Sequence, residues 1–138
     1  MEIKMTEKQF RRLLDLVYIG NWVLNSTRGD DRIREYDEVE SLVFAECLRH
    51  GMPKLVELYQ GELIPSRAFA EGGIHEAIAD YENNIFFEIL AEELARRDMD
   101  DVPIDETNYD ELNRRIDNYM AEFEQNGTDH VTVDADLP

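Results

Sequence analysis

Glu88 and Glu92 stand four residues apart, so on a helix they share one face. Two carboxylates turned inward at that spacing need a cation, a metal or a shared proton. A carboxylate-lined di-metal helical bundle would supply such a site, but it adds Glu-x-x-His pairs. None occurs in this chain, because Glu46–His50 and Glu71–His75 are both four apart. The competing reading is an edge-of-core carboxylate paired with Arg11, Arg12, Arg114 or Arg115.

Cys47 and His50 are three apart, a spacing that can bring a thiol to an imidazole. Cys47 also falls on an apolar stripe with Tyr36 and Val43, which predicts a buried, inert thiol. His50 sits where a helix should end, and no Gly-rich oxyanion loop adjoins the pair. Asn21 interrupts the apolar stripe of the first predicted helix, flanked by Tyr18 and Trp22. A buried amide must be satisfied, by a core hydrogen bond or by a ligand.

Ser66-Arg67 and Gly72-Gly73-Ile74-His75 precede another predicted helix. Glycines before a helix start can form an anion site, assisted here by Arg67 and His75. There is no Walker Lys-Ser/Thr, no dinucleotide fingerprint and no nucleophile elbow, so the bland reading is a connector. The last group is acidic: Asp98, Asp100, Asp101, Asp105, Glu106, Asp110 and Glu111 surround one turn. It lacks the Asp-x-Asp-x-Asp-Gly frame of a calcium loop. Solubility, salt adaptation and a partnerless acidic terminus compete with a partner-binding surface.

These residues require elements to position them. Thr6-Glu7-Lys8-Gln9 matches a capping box and predicts a helix to about Asn25 on Phe10, Leu14, Val17, Asn21 and Leu24. A second helix, capped by Asp30 or Asp31, should end at His50 with Gly51 beyond it. Pro53 should open a short helix to about Gln60. Residues 61–73 read as a connector in which Ser66 can start one turn. A fourth helix, from about Ile74 to Arg97, carries a stripe of Ile74, Ile78, Tyr81, Ile85 and Ile89. A fifth, capped by Thr107 or Asn108, uses Leu112, Ile116, Tyr119, Met120 and Phe123 and stops at Asn126-Gly127. Outside these, only Val131-Thr132-Val133 has a strand-like pattern.

The expected fold class is therefore all-α: a four- to five-helix bundle, mostly antiparallel, as a single domain over 1–127 with a flexible acidic tail at 128–138. Hydrophobic residues form 43% of the chain, enough for a core without a disulfide or structural metal. The lone cysteine excludes a disulfide scaffold, and Met1–Lys8 lacks the pattern of a signal peptide, so the expectation is a cytoplasmic protein.

Net charge is −18 and lopsided. Residues 1–67 hold ten cations against twelve carboxylates; residues 68–138 hold four against twenty. Such a field disfavours nucleic acid and membrane partners and favours a basic protein surface. No cofactor is implied. The sequence supports a non-enzymatic interaction or regulatory module, compatible with a homodimer through the nearly all-apolar first helix. The alternative is a carboxylate-lined metal-binding or enzymatic bundle. No motif specifies a reaction.

Overall fold

The computed structural model describes all 138 residues and divides into two compact units, Met1–Ala79 and Asp80–Pro138. In unit 1, helix α1 spans Glu7–Asn25. Its capping box is complete: Thr6 Oγ1 accepts from the Gln9 N–H at 3.1 Å, and Gln9 Oε1 accepts from the Thr6 N–H at 2.8 Å. Two otherwise orphaned amides are satisfied by one tetrapeptide. Phe10, Leu14, Asn21 and Asn25 are the buried residues of α1.

Helix α2 spans Arg34–Ala45. Neither Asp30 nor Asp31 caps it; Ile33 occupies the N-cap without a side-chain bond. Asp31 instead closes the preceding turn, accepting from the Gly29 N–H at 3.1 Å and pairing with Arg28 at 3.0 Å. The chain tightens to a 3₁₀ turn at Glu46–Leu48 before Gly51 takes φ +70°.

The expected all-α fold is corrected by the next segment. Pro53–Leu55 makes only a 3₁₀ turn, and the chain then extends as strand β1 (Val56–Tyr59) and strand β2 (Glu62–Pro65). They pair antiparallel, with Val56 opposite Pro65 and Tyr59 opposite Glu62. Gln60 and Gly61 have φ of +50° and +82°, as a two-residue hairpin turn matching the strand twist requires. The molecule is thus helix-dominated with a small sheet, and α2 packs against both α1 and β2.

Ser66 then caps a single turn, α3 (Arg67–Phe69): its Oγ accepts from the Phe69 N–H at 3.2 Å and donates to the Lys54 carbonyl at 2.6 Å. That places Phe69 in the core with Phe10, Leu14, Phe44, Cys47, Val56 and Ile74. A wide π-type turn at Ala70–Ile74, with Gly73 at φ +113°, leads into helix α4 (His75–Asp98).

Helix α4 buries different faces in its two halves. Ile74, just ahead of it, and Ile78 are buried, but Tyr81 is 64% and Ile89 54% exposed. The predicted stripe therefore fails beyond Ile78. In unit 2 the buried positions of α4 are Ala91 and Ala95, followed by Met99. Helix α5 spans Tyr109–Asn126 and ends at Gly127. Ala95, Met99 and Leu112 form its small core, with Ile104, Ile116 and Tyr119 packed around. The aromatic series Phe86, Phe87, Phe123 and Tyr119 has successive centroids 5.0, 5.3 and 6.0 Å apart. Residues 131–133 form no strand. No helix is long and apolar enough to cross a membrane.

Candidate functional site

Two places gather polar chemistry, one in each unit. In unit 1, α1 contributes Asn21 and Asn25 to its buried stripe, and both amides are used. Asn25 Nδ2 donates to Asn21 Oδ1 at 2.7 Å and to the Ile33 carbonyl at 3.0 Å; Asn25 Oδ1 accepts from the Ile33 N–H at 2.8 Å. Asn21 Nδ2 donates to Asp37 Oδ1 at 3.0 Å. Asp37 also receives Arg32 bidentately, with both contacts at 2.7 Å. The Arg32 bonds, aided by Asn21, hold the Asp37 carboxyl below its ordinary range. This relay ties the end of α1 to the start of α2.

Beside the relay lies a cleft of about 300 Å³ lined by Tyr18, Asn21, Trp22, Arg32 and Glu40. Glu40 is half-buried and has no ion-pair partner, since Arg32 is committed to Asp37. Burial pushes its carboxyl up to about 7, against a smaller opposing effect from the Asn21 amide. Burial, with Glu40 adding to it, also raises the Tyr18 phenol. The Tyr18 hydroxyl lies 2.6 Å from His75 Nε2, and the His75 ring meets Trp22 edge-on at 6.0 Å. Asn21 thus lines the cleft, while His75 stands behind it against Tyr18 and Trp22. Sequence reasoning missed Glu40, Asp37 and Asn25. Asn25 carried a signal, because it continues the Leu14–Asn21 stripe; Glu40 carried none, because its surroundings are made by packing.

In unit 2 the acidic residues occupy the turn joining α4 to α5. Asp100 and Asp101 both adopt left-handed backbone, φ +58° and +52°, a conformation that aspartate tolerates better than most residues. Asp105 Oδ1 accepts from the Thr107 N–H at 2.8 Å and from its hydroxyl at 2.5 Å. Asn108 accepts from the Asp105 N–H at 2.8 Å and donates to the Pro103 carbonyl at 3.0 Å. Asp98 accepts from the Tyr119 hydroxyl and pairs with Arg97 at 2.8 Å. Tyr119 first, then Arg97, holds the Asp98 carboxyl low; Thr107 does the same for Asp105. Hydrogen bonds at Asp98, Asp105, Thr107 and Asn108 brace the turn. Asp100, Asp101, Asp105, Glu106, Asp110 and Glu111 are all exposed on it.

The remaining sequence candidates do not assemble. Glu88 is exposed, and Glu92 pairs with Arg96 at 2.9 Å, an arginine one turn along its own helix. His50 Nδ1 lies 2.7 Å from Glu7 Oε1, and its ring packs on Phe10 at 4.9 Å. Cys47 is fully buried, and burial pushes its thiol up, away from a nucleophile. Arg67 bonds Glu71 at 2.7 Å on the surface. No three His, Cys, Asp or Glu side chains converge as metal ligands. No protein-family model matches the chain, and neither curated proteins nor solved structures give a significant match.

Proposed function

We propose that this protein is a non-enzymatic interaction module that presents the acidic α4–α5 turn to a basic protein surface. One observation carries the reading. Unit 2 holds eighteen carboxylates against four arginines, a net of −14. All four arginines are already held inside the unit: Arg96 by Glu92, Arg97 by Asp98, and Arg114 and Arg115 by Glu111. Asp100, Asp101, Glu106 and Asp110 therefore have no cation of their own. Hydrogen bonds at Asp105, Thr107 and Asn108 hold the backbone of the turn, so docking would order chiefly side chains, which favours a partner that supplies those cations. A cytoplasmic setting is consistent with the single, buried thiol.

The test is capture of binding proteins at about 50 mM and about 500 mM salt, spanning weak to strong screening. The comparison variant is D100N/D101N/E106Q/D110N. Asparagine tolerates left-handed backbone, so the turn should keep its shape. Basic proteins should be retained at low salt, lost at high salt and absent with the variant. Retention of nothing basic at low salt, or of the same proteins by the variant, would overturn the proposal.

A second reading concerns self-association. Leu16 and Val23 are 69% and 62% exposed on α1, either side of Gly20. No charged residue lies between them, so two copies of a strongly anionic chain would meet with least repulsion there. We propose a homodimer through this face. Sedimentation at high micromolar concentration should give a dimer that Leu16→Glu dissociates; a wild-type monomer rejects it.

A further inference from the structure

The cleft in unit 1 is independent of the acidic turn and has its own chemistry. At Tyr18, Arg32 and Glu40 it meets a second cavity of about 600 Å³, which runs along α2 to the hairpin. Asp37 and Arg32 cancel through their bidentate pair. That leaves Glu38, Glu40 and Glu62 facing only Arg34, a residual charge of −2 once Glu40 is ionised. The walls are aromatic: Trp22 and Tyr18 on one side, Tyr59 at the far end.

We propose that this cleft binds an organic ammonium ion, with the Glu40 carboxylate as counter-charge and the Trp22 and Tyr18 rings against its apolar part. The pieces select this class over others. A half-buried carboxylate without a cation is costly until one arrives. Ring faces attract cations and also cover alkyl carbon. A hard divalent ion needs six or more oxygens, and no three carboxylates converge here. An anion would meet net negative charge. The volume suits a small amine better than a folded partner.

Charged and titratable neighbours of Glu40 come from three elements. Tyr18 stands on α1; Arg32, Arg34, Asp37 and Glu38 belong to α2 and the residues just before it; Tyr59 and Glu62 lie on the hairpin. His75 reaches the cleft through the Tyr18 hydroxyl. None of them pairs with Glu40, so an arriving ammonium would stabilise its ionised form and expel a proton. Affinity should rise with pH. For a carboxyl near 7 the ionised fraction, and with it the affinity, grows about tenfold from pH 6 to pH 8.

Trp22 is the only tryptophan, so its fluorescence reports on the site directly. The probes are n-butylammonium and 1,5-diaminopentane as chlorides at constant ionic strength, with n-butanol as the neutral isostere. The full chain should show a saturable change with either amine and none with butanol. The amine response should be about tenfold weaker at pH 6 than at pH 8. Glu40→Gln should weaken it at least tenfold while circular dichroism stays unchanged, and His75→Gln should keep the pH dependence. D100N/D101N/E106Q/D110N should bind normally, which separates this site from the acidic turn. The proposal fails if neither amine gives a saturable change up to about 50 mM, well above a millimolar dissociation constant. It fails equally if butanol mimics the amines, if Glu40→Gln binds like wild type, or if the pH dependence follows His75.

Discussion

Glu40 and Asn25 show how a single side chain is judged by its neighbours. Burial raises the Glu40 carboxyl from its ordinary value near 4.5 to about 7. The folded state therefore holds a proton that the unfolded chain releases first. Stability from this source is full below about 4.5 and is lost as pH rises through about 7. The full shift would correspond to a few kcal/mol; water still reaches the carboxylate, so about 1–2 kcal/mol is the sounder expectation. Glu40→Gln should melt a few degrees above wild type at pH 8 and level with it at pH 4, by calorimetry. A wild-type advantage at pH 8 would mean that an unseen cation already serves the carboxylate. Asn25 is 1% exposed and makes three hydrogen bonds that no other group replaces. Asn25→Ala strips partners from both backbone groups of Ile33 and from the Asn21 amide. It should lower stability by about 2–3 kcal/mol in urea titration; a loss under about 0.5 kcal/mol would show that water takes over those bonds.

At the scale of elements, legibility followed how local each signal was. The capping box lies within one helix, and α1 forms over the predicted span, although Leu24 of its predicted stripe is exposed and Asn25 is buried instead. The turn after α5 is equally local, with Gly127 ending that helix. The hairpin was missed because Gly61 carries the same sign as a helix stop, and Leu-Tyr-Gln-Gly lacks the Asn-Gly that advertises a tight hairpin. Pro53 encouraged the error, since it suits a first helical turn as well as the 3₁₀ turn it makes. Helix α4 misled for another reason. Its apolar and polar residues are mixed around the circumference with no single stripe, so periodicity could not say which face each half buries. Of the candidate sites, the acidic turn was legible from composition alone, whereas the Glu40 cleft needed α1, α2 and the hairpin to be brought together. The hairpin turn itself is open to measurement. Gly61 has φ +82° with no atom within 4 Å of an added Cβ, so Gly61→Ala meets backbone strain and no steric clash. It should cost about 1–2 kcal/mol. Gln60→Asn at φ +50° should stabilise by a few tenths, because asparagine adopts left-handed backbone readily. Equal stabilities of Gly61→Ala and wild type in chemical denaturation would show that the turn does not constrain the fold.

For the whole molecule the decisive quantity is unneutralised charge. Unit 1 carries ten cations against fourteen carboxylates and unit 2 four against eighteen, so the −18 is concentrated in the second. Unit 2 must hold that charge over buried Ala91, Ala95, Met99, Leu112 and Phe123 with a few flanking side chains. Self-repulsion at this density opposes compaction. The exposed ion pairs in unit 2 are i,i+3, i,i+4 or adjacent contacts that contribute little each. Screening should therefore relieve more repulsion than the attraction it removes. The melting temperature should rise between about 50 mM and about 500 mM sodium chloride, a range over which the screening length falls severalfold. D100N/D101N/E106Q/D110N should melt higher than wild type at low salt and respond to salt less. The same variant tests whether the acidity serves a surface. If these carboxylates exist for a basic partner, their removal raises stability while abolishing capture, because a binding surface retains repulsion that only the partner relieves. If stability rises and capture is unchanged, the charge serves solubility alone. If the variant melts lower than wild type, the four carboxylates support the turn itself, and neither account of the acidic half holds.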